Sequence, residues 1–126
     1  MTKILVIEDD KFLSNVYRIK LQKVGFDVVI AIDGAEALEK IKLENFDLVI
    51  LDLIIPKIDG FAVLSEIKSQ EKYKKLPVLV SSNLGQVEDI NRAIKLGATD
   101  FVVKSDTSLD ALVEKIKKII SSNDNQ

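Results

Sequence analysis

The sequence predicts an α/β fold in which a five-stranded parallel sheet carries helices on both faces. Short runs rich in Ile, Leu and Val alternate along the chain with longer stretches whose apolar residues recur at helical spacing. The short runs lack polar alternation, which is typical of strands buried on both faces. Strict alternation of strand and helix predicts a parallel sheet, and the crossover connections of a parallel sheet are right-handed.

The five predicted strands are short, rich in branched aliphatic residues and bounded by polar or turn-forming residues. They span residues 3–7, 27–31, 47–51, 77–81 and 100–103. The five predicted helices span residues 11–24, 35–43, 60–69, 86–96 and 109–120. The last has the clearest pattern, because its apolar residues recur at positions i, i+3, i+4, i+7 and i+11 from Leu109.

Residues at the ends of these segments agree with the assignment. Gly25 and Gly97 follow predicted helices, where a left-handed residue is favoured. Asp33, Asp59 and Ser108 precede helices and are predicted to be N-caps.

Length and composition exclude several classes of protein. The 126 residues predict one domain, residues 1–120, followed by a polar tail, residues 121–126, that we expect to fray. The sequence has no cysteine and no histidine, which excludes disulfides, thiolate chemistry, the commonest general base and any phosphohistidine role. A net charge of −2 implies no broad basic surface for nucleic acid. No apolar run approaches the roughly 20 residues of a membrane span, and we expect a cytoplasmic protein.

Carboxylates follow two of the apolar runs. Asp52 closes the run at residues 48–51, and Glu8, Asp9 and Asp10 follow the first strand. Open α/β sheets place their chemistry at the carboxyl ends of the strands. If the two strands are neighbours, these carboxylates converge, and such a cluster is stable only if it is protonated or holds a cation.

Several motifs in the correct order give the chain its resemblance to a known family. It resembles the response-regulator receiver domain, the chemotaxis-regulator-like module of two-component signalling. The resemblance covers nearly the whole chain and implies a flavodoxin-like sheet with strand order 2-1-3-4-5. The motifs are residues 4–10, Asp52 with Pro56 and Asp59-Gly60, residues 77–82 and residues 100–104.

The resemblance implies a role for each acid. Asp52 is the expected phosphoacceptor, whose carboxylate attacks a phosphoryl group. Glu8 and Asp9 match the acidic pair that holds Mg²⁺ directly or through water, with Asp52 and the carbonyl oxygen of Ile54 as further ligands. Asp10 is expected to be a helix N-cap or a first-turn charge rather than a metal ligand.

The resemblance also implies ligands for the phosphoryl group and a switch. Ser82 matches the residue that hydrogen-bonds the bound phosphoryl group, and Lys104 matches the lysine that supplies a point charge. Ser82 and Phe101 are the expected switch residues. They would alter a partner-binding face made by the fourth helix, the fifth strand and the fifth helix.

Four departures from the family pattern are visible. Ser105 follows Lys104 where the family usually has a proline after a cis peptide, so we expect a trans bond or a rearranged loop. Phe101 lacks the hydroxyl of the tyrosine often found at its position. Asn83 stands where Ala or Gly is usual, and could narrow the path to Asp52 or hydrogen-bond the phosphoryl group.

The fourth departure is that Ile54 and Leu84 are both apolar. In the family these two positions flank the water that hydrolyses the phosphoaspartate. We hypothesise that Ile54 and Leu84 exclude or misplace this water. Together with Asn83 they would then modulate the lifetime of the phosphoryl group.

The function predicted on this basis is a stand-alone phosphoacceptor module that catalyses only its own phosphorylation and dephosphorylation. The expected donor is a histidine kinase or a histidine phosphotransfer protein, and the output is contact with an unknown protein. A homodimer that forms on phosphorylation is left open, while direct contact with nucleic acid or membrane is not expected.

Three alternatives carry less weight. A pseudo-receiver would keep the fold and act as a constitutive adaptor. A Mg²⁺-dependent phosphohydrolase would need a general acid and a substrate pocket. A flavodoxin-like cofactor binder would need a phosphate-binding loop, which none of the five glycines makes.

Overall fold

The computed structural model describes residues 2–124 and has a single parallel sheet. The sheet order is β2-β1-β3-β4-β5, so the predicted fold class and strand order are confirmed. The strands are β1 (Lys3–Ile7), β2 (Asp27–Ala31), β3 (Leu48–Leu51), β4 (Val78–Ser82) and β5 (Asp100–Val103).

Five helices connect or follow these strands. They are α1 (Lys11–Val24), α2 (Gly34–Leu43), α3 (Gly60–Ser69), α4 (Val87–Lys95) and α5 (Leu109–Asp124). Two short 3₁₀ helices, Glu71–Tyr73 and Lys104–Asp106, were not predicted. No helix within residues 2–124 is long and apolar enough to span a bilayer.

The end of α5 differs from the prediction. The helix continues to Asp124, so the expected end at Ile120 is wrong, and residues 121–124 of the predicted polar tail are helical. A helix that is already nucleated gains further turns at little cost, even where the added residues are polar and exposed. Residues 125 and 126 lie outside the described residues.

The bounds of β4 are shifted by one residue from the prediction. Pro77 precedes the strand, and its nitrogen carries no hydrogen to donate to a ladder. At the other end the strand includes Ser82, which pairs with Val103 of β5. The predicted phosphoryl ligand Ser82 is therefore the last residue of a central strand rather than the first residue of a loop.

The sheet has an apolar core on each face. On one face the strands pack against α2, α3 and α4, with Leu64, Ile67 and Ala93 among the buried residues. On the other face they pack against α1 and α5, represented by Leu21 and Ile116. Since both faces are covered, the exposed carboxyl edge of the sheet is where functional side chains can gather.

The predicted caps are confirmed. Gly25 and Gly97 have φ angles of 110° and 113°, in the left-handed region. The Asp33 and Asp59 side chains accept hydrogen bonds from the backbone N–H groups three residues further on, at 2.8 and 3.1 Å. The Ser108 hydroxyl accepts one from Ala111 at 3.1 Å.

Candidate functional site

The strand register brings Glu8 and Asp52 together. Ile7 of β1 lies opposite Leu51 of β3, so the residue after each leaves its strand at the same level. The backbone ladder continues through both acids. The Glu8 N–H donates to the carbonyl of Ala31 at 3.0 Å, and the Asp52 N–H donates to the carbonyl of Ile7 at 3.1 Å. The sheet itself therefore fixes where these two carboxylates stand.

Gly60, the first residue of α3, packs directly against the backbone of the Asp52 segment. Its N–H donates to the carbonyl of Leu53 at 2.9 Å. A Cβ atom at this position would lie 2.4 Å from the Cα of Leu53 and 2.5 Å from the carbonyl oxygen of Asp52. Both neighbours are backbone atoms, so only glycine fits without displacing the strand end.

Three carboxylates form a cluster at this edge of the sheet. Carboxylate oxygens of Glu8, Asp9 and Asp52 lie within 4.8 Å of one another, which confirms the expected convergence. Glu8 and Asp52 are only 2% and 7% exposed, while Asp9 is exposed. An all-oxygen donor set that is open to water on one side fits Mg²⁺, which prefers oxygen ligands and retains several waters.

Asp10 caps α1 and also contacts Glu8. Its carboxylate accepts a hydrogen bond from the Leu13 N–H at 3.0 Å, as the N-cap prediction requires. Its own N–H donates to Oε2 of Glu8 at 3.2 Å. Asp10 thus orients a neighbouring carboxylate rather than joining the cluster.

Lys104 supplies the positive charge of the site. Its Nζ donates to Oδ2 of Asp52 at 2.8 Å and also to Oε1 of Glu8. The side chain is 12% exposed, so these contacts are shielded from water. One lysine therefore bridges two of the three acids.

Burial and this bridge shift two pKa values. Burial raises the pKa of Glu8, and the hydrogen bond from Lys104 offsets only part of that rise. Burial would lower the pKa of Lys104, but its hydrogen bonds to Asp52 and Glu8 outweigh burial and hold the pKa above its usual value. Lys104 is therefore a permanent cation at neutral pH.

Ser82 lies on the strand next to Asp52. The register pairs Leu51 with Val80, which places Asp52 level with Ser81 and Ser82 one residue further along. Ser82 is fully buried, and its Oγ accepts a hydrogen bond from the Leu84 N–H at 3.3 Å. That bond belongs to the turn between β4 and α4 and leaves the hydroxyl hydrogen free to donate.

The predicted lifetime modulators have different environments. Ile54 is 57% exposed, and its N–H donates to Oδ1 of Asp52 at 3.2 Å. Leu84 is half-buried and packs against the same apolar core as Phe101, the predicted switch residue. The backbone of Ile54 is thus in direct contact with the expected phosphoacceptor.

Two hydrogen bonds near the site were not foreseen from the sequence. The Ser105 N–H donates to Oδ1 of Asn83 at 3.1 Å, across the two loops that follow β4 and β5. The Tyr17 hydroxyl lies 3.4 Å from Oγ of Ser81, in the core beneath the site. A serine inside an otherwise apolar strand was the available signal for the second contact. The Lys104–Ser105 peptide is trans, as expected.

A doubly wound sheet with three acids and a lysine at its carboxyl edge is the arrangement of a signalling receiver domain. Comparison with known proteins agrees with this. Residues 4–117 match the family described as "Response regulator receiver domain". The chain belongs to the response regulator receiver domain family and is a signalling domain of two-component systems. Phosphorylation and Mg²⁺ binding at an acidic pocket are typical of the family.

The curated relatives are longer proteins. The chain is 37% identical over 98% of its length to the "Probable transcriptional regulator ycf27" of Porphyridium aerugineum, of which it covers 52%. It is 32% identical over 98% of its length to the "DNA-binding dual master transcriptional regulator RpaA" of a Synechocystis strain, of which it covers 51%. The chain therefore spans about half the length of these relatives.

Two solved structures match along nearly their whole length. The receiver domain of the Francisella response regulator 1452 superposes with a TM-score of 0.90 and 30% identity, covering 97% of this chain and 98% of that one. A CheY-like receiver domain protein from Methanospirillum hungatei JF-1 superposes with a TM-score of 0.92 at 23% identity, covering 99% and 98%. The second likeness bears on the fold alone.

Proposed function

We propose that Asp52 accepts a phosphoryl group in a Mg²⁺-dependent reaction and that this chain thereby acts as a phosphorylation switch. The observation that carries the proposal is the arrangement around Asp52. Its carboxylate is nearly buried, is 2.8 Å from the Lys104 ammonium and belongs to a cluster with Glu8 and Asp9. The donor would be a histidine kinase or a histidine phosphotransfer protein.

The chemistry is a displacement at phosphorus. A carboxylate oxygen of Asp52 forms a bond to the phosphorus atom while the bond to the donor's leaving atom breaks and that atom departs with the electron pair. Glu8 and Asp9 would hold Mg²⁺ together with Asp52 and the carbonyl oxygen of Ile54. When bound, Mg²⁺ supplies the positive charge that offsets repulsion between the acids and the incoming group. Lys104 and the Ser82 hydroxyl would then bind phosphoryl oxygens.

Phosphorylation would reach the surface through the loops after β4 and β5. Ser82 and Lys104 would be drawn toward the phosphoryl group, and Phe101 would turn into the space that they vacate. Such coupling is typically worth about 1–3 kcal/mol. The loose attachment of α4 supports this route, since Ala93 is its one buried residue while Val87 and Ile94 are 69% and 46% exposed.

Charges on the predicted output face pair within the chain. Lys115 contacts Asp100 at 2.7 Å, and Asp110 contacts Lys20 of α1 at 2.7 Å. These contacts favour a solvated face over charge pairing across a dimer. The homodimer stays open, while the absence of direct nucleic-acid contact and function as a stand-alone module stay predictions. The longer relatives are named as transcriptional regulators.

The pseudo-receiver is the competing hypothesis. It requires that the altered loops at Asn83 and Ser105 prevent phosphorylation. The contact between Lys104 and Asp52 argues against it, because the lysine reaches the expected phosphoacceptor although no proline follows it.

Intact mass after incubation with acetyl phosphate tests the proposal. We expect one phosphoryl adduct on the wild type with Mg²⁺, none with excess EDTA and none on Asp52→Asn. Asp59→Asn is the matched control, because Asp59 caps α3 outside the cluster and its adduct should match the wild type. If no adduct forms with acetyl phosphate, with a small phosphoramidate or with a histidine kinase, the pseudo-receiver hypothesis replaces the phosphorylation switch.

A further inference from the structure

Two departures from the family pattern contact each other. Asn83 follows β4 and Ser105 follows Lys104 after β5, and the Ser105 N–H donates to Oδ1 of Asn83 at 3.1 Å. Both residues are exposed, so the bond closes a gap between two loops at the rim of the site. Each of the two residues directly follows one expected phosphoryl ligand, Ser82 or Lys104.

The bond lies just beyond the end of the sheet, where β5 is followed by the 3₁₀ helix Lys104–Asp106. The last backbone pair between β4 and β5 is Ser82 with Val103, which places Asn83 level with Lys104. Ser105 is the second residue after Val103, and its N–H donates to the Asn83 side chain. The Asn83 carboxamide oxygen accepts it in the way that a backbone carbonyl would if the ladder continued.

This geometry links the two departures. The proline usual after the lysine has no N–H and needs no acceptor, so a small residue can follow the serine. Ser105 has an N–H, and Asn83 provides an acceptor for it. Asn83 directly follows Ser82 in the chain, and the sequence predicts that its side chain, bulkier than the usual Ala or Gly, narrows the path to Asp52.

We infer that Asn83 and Ser105 form a single latch, in which the Ser105 N–H holds the Asn83 side chain against the β5–α5 loop and keeps the approach to Asp52 open. The inference rests on the proposed function and deepens it. Asn83 and Ser105 are positioning residues, because they act through the space around Asp52 and through Ser82 and Lys104. If the Ser105 N–H no longer holds it, the Asn83 side chain closes the approach to Asp52. If the side chain itself is removed, nothing is left to close the approach, and the latch is unnecessary.

A double-mutant cycle tests the latch. Ser105→Pro removes the donor and leaves Asn83 free, Asn83→Ala removes the carboxamide, and the double variant carries residues usual in the family at both positions. Ser105→Ala is the matched control, since it keeps the N–H. The initial rate of adduct formation with acetyl phosphate and saturating Mg²⁺ is followed by intact mass.

Ser105→Pro should slow phosphorylation by about 3- to 10-fold, the range expected for one lost hydrogen bond. In the Asn83→Ala background the same change should have no effect, and Ser105→Ala should match the wild type. The dissociation constant for Mg²⁺, from an NMR titration of the unphosphorylated protein, should not change in any variant. A variant that disturbed the geometry of the whole site would change this dissociation constant.

Equal slowing by Ser105→Pro in both backgrounds, or slowing by Ser105→Ala, would overturn the latch. Hydrogen exchange of the Ser105 amide gives a test that needs no phosphorylation. Exchange should be faster in Asn83→Ala than in the wild type, and equal rates would also overturn the latch. A wild type that takes no phosphoryl group overturns the proposed function and the latch together. A normal wild-type rate without the predicted non-additivity overturns the latch alone.

Discussion

Glu8 and Asp52 are positioned by backbone hydrogen bonds of the sheet, whereas Lys104 is positioned by its own side-chain contacts and by the loop that carries it. On the β1–β3 side, the ladder passes through both acids, and Gly60 packs against the backbone of Asp52. On the β4–β5 side, the ladder ends at Ser82 and Val103, and a side chain, Asn83, makes the next contact.

We call the β1–β3 side, with Glu8 and Asp52, the fixed half of the site. The β4–β5 side, with Ser82 and Lys104, is the adjustable half. Acids that hold a metal need constant geometry, because Mg²⁺ tolerates little deviation from octahedral coordination. The proposed ligands of the phosphoryl group would have to move, since their movement would be the signal. Backbone register suits the first task, and a few side-chain hydrogen bonds in loops suit the second.

The largest expected effect is on the fixed half. Glu8→Gln keeps the shape of the side chain but removes one of the two nearly buried carboxylates of the cluster. We expect Mg²⁺ to bind at least 10- to 100-fold more weakly, on the order of the loss seen when partners of metal ligands are removed. A calorimetric titration measures this, with Glu36→Gln on α2 as the control. An unchanged affinity would mean that Glu8 is not a ligand.

Lys104→Met should change metal binding and phosphorylation in opposite directions. The ammonium contacts Glu8 and Asp52 and so competes with a cation for the same oxygens. Without it, Mg²⁺ should bind more tightly, while phosphorylation slows by about 10-fold or more because a charged ligand of the phosphoryl group is lost. Lys117→Met on the exposed face of α5 is the control. Weaker metal binding in Lys104→Met would contradict this account.

Substitution of two glycines, one in each half, allows the loss in free energy of unfolding to be compared between the halves. A methyl group at Gly60 would meet backbone atoms at 2.4 and 2.5 Å, whereas one at Gly85, in the β4–α4 loop, would meet a methyl of Val103 at 3.0 Å. Gly60→Ala should lower the free energy of unfolding by about 1–3 kcal/mol or more, as overpacking against a rigid neighbour does. Gly85→Ala should cost clearly less, because the Val103 side chain can yield. Urea denaturation measures both, and equal losses would remove the distinction between the halves.

The smallest expected effect concerns the lifetime of the phosphoryl group. Ile54→Asn with Leu84→Glu should place polar groups where the hydrolytic water is expected. The pair should speed dephosphorylation by about 10-fold, which corresponds to roughly 1.4 kcal/mol in the barrier. The decay of the adduct after removal of donor measures it, with Ile54→Leu as the control. No acceleration in either single variant or in the pair would end the hypothesis.

Much of the fold could be predicted from periodicity, and the fixed half could be predicted once the family resemblance implied that β1 and β3 are neighbours. Apolar runs gave the strands, and residues that follow two neighbouring parallel strands must meet at one edge. The end of α5 could not be predicted, because Ser121 and the polar residues after it are equally compatible with a helix or a frayed end. The partner of Asn83 could not be predicted either, because a contact between residues 22 positions apart depends on the register of β4 against β5.

Locating the phosphoryl group chemically tests the central claim most directly. After reaction with acetyl phosphate and Mg²⁺, borohydride reduces an aspartyl phosphate to homoserine, and peptide mass mapping then identifies the modified position. Homoserine at residue 52, absent when Mg²⁺ is withheld, is the result that this account predicts. Modification at Asp9 or Glu8 instead, or an equal yield without Mg²⁺, would contradict it.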